Sequence, residues 1–203
     1  MGVRFSFHYA LPLILPLSPS PTPSLLRART HTRPDAHYAM PDDLTIRRAT
    51  VDDAETLARF NGAMAEETED KPLDPDTVRA GVRAVFDKPE QAFYLVAERD
   101  ESIVGSHSES TSSRVLGALM ITTEWSDWRN ANFWWIQSVY VRPEARRAGV
   151  YTALHREVRR RAHDADGVCG LRLYVERDNA AAQAAYKELG MDAPPYRMYE
   201  EML

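Results

Sequence analysis

The segment Gln137-Ser-Val-Tyr-Val-Arg-Pro-Glu-Ala-Arg-Arg-Ala-Gly-Val-Tyr151 constrains this chain more than any other. A strand-like run ends at Val141, and Pro143 cannot extend it because proline offers no ladder N–H. A basic turn follows, and Gly149 opens a helix whose Leu154 and Val158 face inward. The first turn of a helix has N–H groups without intrahelical acceptors and a partial positive charge, so it attracts an anion. Gly149 carries no Cβ, which lets a phosphate come close to the backbone, and Arg146 and Arg147 add fixed charge. The Gly-Lys-Ser/Thr ending of a nucleotide P-loop is absent, as are the three glycines of a dinucleotide fingerprint. Alone, the segment is an anion site.

A second element gives the anion a context. Leu171-x-Leu173-x-Val175 alternates like a strand, and Asn179, Ala182 and Tyr186 share one face of the helix that follows. A right-handed crossover starts both helices at the same end of the sheet, so Tyr186 can face what the loop after Val141 holds. The remaining elements complete the order. Leu44–Ala49 reads as a strand, and helices follow from Thr50 and from Asp74 or Asp76, the second ending at Lys88-Pro89. Strands are expected at Phe93–Ala97, Val115–Thr123, Asn132–Val141 and, last, Arg197–Met202. The order β-α-α-β-β-β-α-β-α-β is that of an α/β protein with a mixed sheet: an antiparallel meander, then a crossover. Asp100–Arg114, rich in Ser, Glu and Thr, reads as a solvated hairpin loop.

Together the two elements resemble the GNAT superfamily of N-acetyltransferases. Val141-Arg-Pro143, Arg146 and Gly149 match its loop; Asn179, Tyr186 and Gly190-Met191 match its later strand–helix element. The resemblance covers roughly residues 44–202. It implies a mostly antiparallel sheet splayed between its fourth and fifth strands, with acetyl-CoA as co-substrate. Val139, Tyr140 and Val141 would line the pantetheine arm, and Arg146, Arg147, Ala148, Gly149, Val150, Tyr151 and Thr152 would hold the pyrophosphate. Asn179 would touch the pantetheine or order its turn, and Tyr186 would protonate the departing thiolate. Two positions depart from the pattern. Tyr151 stands where the family usually has Gly or Ala, so its side chain must point away from the phosphates or stack on the cofactor. Arg147 replaces a frequent Gly.

The acceptor, a small-molecule or peptide amine, must lose a proton before it attacks, which calls for a carboxylate or a water chain leading to one. The strand Phe133-Trp-Trp-Ile-Gln137-Ser138 has no acid, so Gln137 could only orient a water. Glu66, Glu67 and Glu69 follow the first helix, and Glu124-Trp125-Ser-Asp-Trp128 forms the hairpin before Trp135. Glu67 and Glu124 are the candidate bases. Glu66, Glu69, Trp125, Trp128, Trp135 and Gln137 are the candidate acceptor-binding residues, and tryptophans beside carboxylates can enclose a small cation. A catalytically weak acyl-CoA sensor is the alternative, kept open by the missing strand carboxylate.

Charge is unevenly spread. The first 39 residues carry four arginines against Asp35, so the remainder is more acidic than the net charge of −5 suggests. An acidic body repels nucleic acid and suits a cationic acceptor. The histidines and the one cysteine show no metal-ligand spacing, and Cys169 is expected as a small buried side chain. Residues 1–39 read as a disordered extension, with a transit peptide or cleaved signal as alternatives, and 40–203 as a single domain. The apolar run at Ala10–Leu17 is too short and proline-rich to span a membrane. The compartment expected is the cytoplasm, or an organelle if residues 1–39 target one, and a homodimer is compatible with the reading.

Overall fold

Period-2 alternation builds five strands: β1 (Leu44–Arg48), β2 (Ala92–Arg99), β3 (Val115–Ser126), β4 (Ala131–Val141) and β5 (Val168–Leu173). They form one sheet in chain order, antiparallel throughout except for the parallel pair β4–β5. The computed structural model describes residues 44–99 and 114–203; the expectations for residues 1–39 and for the Ser-rich loop fall outside the described residues.

Alternation also divides the core between the two faces of the sheet. Leu95, Leu119, Ile121 and Ile136 turn to one face and pack on Val150, Ala153, Leu154 and Val158 of the crossover helix α3 (Val150–Asp164). Tyr94, Val96, Ala118 and Tyr140 turn to the other, covered by Leu57 and Phe60 of α1 (Ala54–Glu69) and Val82 of α2 (Pro75–Phe86). Each large aliphatic or Phe side chain among these contributes on the order of 2 kcal/mol through the area it removes from water. Helix starts follow the expected chemistry. Asp74 accepts from Thr77 N–H at 2.8 Å, with Pro75 in the first turn. Asp53, 2% exposed, reaches back to Thr50 N–H at 2.8 Å and takes both Arg47 guanidinium nitrogens at 2.7 and 2.9 Å. The last helix, α4 (Ala180–Glu188), begins at Asn179, whose side chain accepts from Ala182 N–H at 3.0 Å.

Two expectations are corrected. Arg197–Met202 does not join the sheet: it follows Pro194-Pro195, and Tyr196, Met198, Tyr199 and Met202 all stay exposed. With no apolar side chain buried, nothing offsets the entropy of ordering a strand there. Cys169 is exposed rather than buried, because β5 is the outermost strand and its second residue turns outward.

Candidate active site

Strands β4 and β5 pair in parallel from Asn132/Val168 to Ile136/Leu173, and there the pairing stops. β4 continues through Gln137–Val141 with no β5 partner, so its backbone on that side faces a wedge. The parting coincides with a break in β4. Ser138 takes a left-handed φ of 49°, and the β3–β4 register shifts between Ala118 and Met120. After the break Val139 and Val141 lie against the α3 face and Tyr140 against the α1 face. The expected pantetheine-lining strand therefore has an edge without a strand partner along a cleft, with Val141 C=O taken by Arg146.

The wedge opens onto the loop. Pro143–Ala145 forms one tight turn, buried at Ala145, and Gly149 sits just ahead of α3 at φ 80°. That value lies in the left-handed region, where a Cβ would be strained. Arg147 also takes a left-handed φ, 62°, which a side chain tolerates at a cost of roughly 1–2 kcal/mol. This is the backbone that a glycine adopts freely, and it explains why the departure at Arg147 leaves the loop intact. The N–H groups of Val150, Tyr151 and Thr152 in the first turn of α3 lack intrahelical acceptors.

Tyr151 points inward. Its ring meets Tyr186 edge-on at 5.7 Å between centroids and lies 6.1 Å from His155. Its hydroxyl is buried without a hydrogen-bond partner, and so is His155 Nε2. Burial first, and then the charge an ionised Tyr186 would carry, push the Tyr151 hydroxyl well above the usual phenol range. Burial likewise raises Tyr186, so both phenols stay protonated at neutral pH. Burial, aided by Arg159, lowers His155 to about 4 and keeps it neutral. Asn179 caps α4, which fixes the helix that carries Tyr186.

Glu67 is bound to the loop. One carboxylate oxygen accepts from Tyr140 Oη at 2.9 Å and the other from Arg146, whose Nε donates to Val141 C=O at 2.9 Å. Arg146 foremost, then Tyr140, hold Glu67 below the usual carboxylate range. Glu66 is exposed nearby, and the side chain of Glu69 falls outside the described residues.

The acceptor-side residues divide. Trp135 stacks on Tyr174 at 4.4 Å and donates through Nε1 to Glu124, whose other oxygen accepts from Arg172 at 2.8 Å. The Arg172 guanidinium lies 3.6 Å over the Phe133 ring. Gly170 makes this possible, because a Cβ there would come within 2.9 Å of that ring. Gln137 donates to Thr122 Oγ1 at 2.6 Å. Trp125 and Trp128 do not join: they are 61% and 91% exposed, and alternation places Trp125 on the other side of the hairpin from Glu124. The expected tryptophan cage is thus a single Trp135, already served by an internal cation. Sequence reading missed Arg172, Phe133, Tyr174 and His155. Outward placement of Arg172 was legible from alternation, but its partner Glu124 comes from a hairpin nearly fifty residues earlier.

Among the described residues no group of His, Cys, Asp and Glu could hold a metal ion, and no helix is long and apolar enough to cross a membrane. The chain matches the model of the acetyltransferase (GNAT) family over residues 59–191. Among solved structures it is similar to one from Clostridium difficile 630 described as a possible acetyltransferase. The two share 38% identity and a TM-score of 0.68, over 80% of this chain and 99% of that one. A Trypanosoma brucei acetyltransferase shares the fold at 19% identity and TM-score 0.57, over 79% and 100% of the two chains. A predicted acetyltransferase of Clostridium acetobutylicum, solved with acetyl-CoA, shares it at 12% identity and TM-score 0.61, over 78% and 96%. Comparison with curated protein sequences finds no match. A parallel pair that parts at Ile136/Leu173, a glycine turn at the start of α3 and a family match over most of the chain agree: this protein belongs to the GNAT acetyltransferase family.

Proposed function

We propose that the protein is an N-acetyltransferase that moves the acetyl group of acetyl-CoA to a primary amine by direct attack in a ternary complex. The observation that carries this is the wedge between β4 and β5, open at one end to the loop and bordered at the other by Tyr186. The residues fit the cofactor: the first-turn N–H groups of α3, with Arg146 and Arg147, suit the pyrophosphate, and the free edge of Val139–Val141 suits an amide-bearing arm. Asn179 acts by holding the turn before α4. When bound, acetyl-CoA supplies the acetyl group as a thioester.

The chain's own residues then position and move protons. Tyr186 Oη gives its proton to the departing sulfur as the new C–N bond forms, and is reprotonated from solvent. The amine proton leaves through water toward a carboxylate. Glu124, beside Trp135 and Gln137 on the acceptor face, is the better placed of the two candidates. Glu67, held down by Arg146, is the weaker base and steadies the loop. The domain spans residues 40–203 and works in the cytoplasm unless residues 1–39 direct it to an organelle.

One observation favours a second reading, a catalytically weak acyl-CoA sensor: every oxygen of Glu67 and Glu124 is already engaged. Thiol release from acetyl-CoA across a panel of amines, run beside CoA binding by thermal shift, separates the two. Turnover supports the transferase; tight CoA binding with no amine-dependent thiol release supports the sensor. No shift with CoA sinks both.

A further inference from the structure

A cavity of about 630 Å³ lies among β4, β5, α4 and the segment after α4, within the range of small-molecule sites. Two features place it next to the chemistry. Leu173 and Val175, where β5 parts from β4, line it together with Tyr186. No residue from Arg146 to Thr152 lines it, so it is separate from the phosphate end.

Its chemistry runs against the charge of the whole chain. The net charge is −5, yet Arg129, Arg172 and Lys187 line the cavity and Asp192 is the one acid among the lining residues. Phe133 and Trp135 form aromatic wall. Two guanidinium groups stack on Phe133, Arg172 at 3.6 Å and Arg129 at 5.5 Å. Arg172 spends one nitrogen on Glu124. Arg129 and Lys187 have no acidic partner among the described residues. A guanidinium stacked on a ring keeps its N–H edge free, and that edge matches a carboxylate with two parallel hydrogen bonds. A polyamine entering here would meet three cations, a repulsion that selects against it.

We propose that this cavity is the acceptor site and that it selects an amine carrying a carboxylate and a flat apolar body, an aromatic amino acid rather than a polyamine. Arg129 takes the carboxylate, assisted by Lys187, while Phe133 and Trp135 pack the body. The amine then lies toward Tyr186 and the parting of the strands. The inference rests on the acetyl-transfer reading for its meaning but not for its test.

The full chain is titrated calorimetrically, with CoA present, against phenylalanine and phenethylamine, against the N-acetylated form of each, and against spermidine. The carboxylated member of each pair is expected to bind at least about 10-fold tighter, from charge-assisted hydrogen bonds. Arg129→Ala should bring the pair to within about 3-fold, and Arg129→Lys should restore part of the gap. Arg129 is exposed and holds no acid, so the fold tolerates both changes. Equal affinities, tighter binding of spermidine, no binding by either carboxylated probe, or a gap that survives Arg129→Ala would each overturn the proposal. Thiol release is measured on the same probes. Arg129-dependent binding without thiol release keeps the ligand site and favours the sensor over the transferase; turnover of spermidine alone keeps the transferase and removes this site.

Discussion

The two ends of the cleft are built differently. At the proposed cofactor end the groups on offer are backbone: a strand edge freed at Ile136/Leu173, the left-handed turns at Arg147 and Gly149, and the first N–H groups of α3. At the proposed acceptor end they are side chains from separate elements: Glu124 from β3, Trp135 and Phe133 from β4, and Arg172 from β5, with Gly170 making room. Backbone sites depend on conformation and tolerate varied side chains, which is why Arg147 and Tyr151 can replace smaller residues. Side-chain sites depend on who meets whom, so single replacements there rewrite specificity.

That contrast can be broken at either end. The largest effect is expected from Gly149→Glu, which adds left-handed strain and places a carboxylate where the pyrophosphate would sit. CoA affinity should fall on the order of 100-fold or more, through repulsion at a site built for an anion. Calorimetry checks this, with a melting curve to verify the fold; wild-type affinity would remove the loop from the cofactor site. Next comes Tyr186→Phe, which keeps the ring on Tyr151 and deletes only the hydroxyl. Turnover should drop roughly 100-fold, the usual contribution of a positioned acid, while CoA affinity stays within about 2-fold. An unchanged kcat would take Tyr186 out of the proton path.

A smaller effect concerns stability and belongs to the cofactor end alone. His155 is 2% exposed and lowered to about 4. The unfolded chain takes up that proton near pH 6.5 and the folded one only near pH 4, so protonation favours unfolding in that window. Stability should therefore decline by up to about 3 kcal/mol as pH falls from 6.5 to 4. Denaturant titrations of the wild type and of His155→Leu measure it; a variant with the same slope over this window would show that His155 is not the group responsible.

Much of the fold was legible because it rests on local rules. Alternation located the strands of the meander, Asp74 and Gly149 marked helix starts, and Pro143 ended β4. Arg197–Met202, expected as a strand, formed none: Met198 and Tyr199 are adjacent rather than alternating, and pairing needs a partner and buried area that the segment does not supply. Within the proposed site, the loop and Tyr186 rest on motifs that the sequence carries. That no tryptophan cage forms was not legible, because Trp125 and Trp128 are close in sequence to Glu124 but turned away from it. The charge of the cavity was hidden for the same reason: an acidic chain gives no hint that Arg129, Arg172 and Lys187 converge.

The sequence by itself determined the order of elements from β1 to α4, the glycine turn ahead of α3 and the Asn-capped helix that carries Tyr186, since each depends on spacing within a few dozen residues. Only the tertiary structure decided where the wedge opens, that Tyr151 packs inward on Tyr186, that Glu67 is tied to Arg146, and that Arg172 takes the place expected for a bound cation. The physical reason is register. Side chains far apart in the chain meet only where a parallel pairing such as Trp135 with Arg172 brings them side by side, and no local periodicity encodes that pairing.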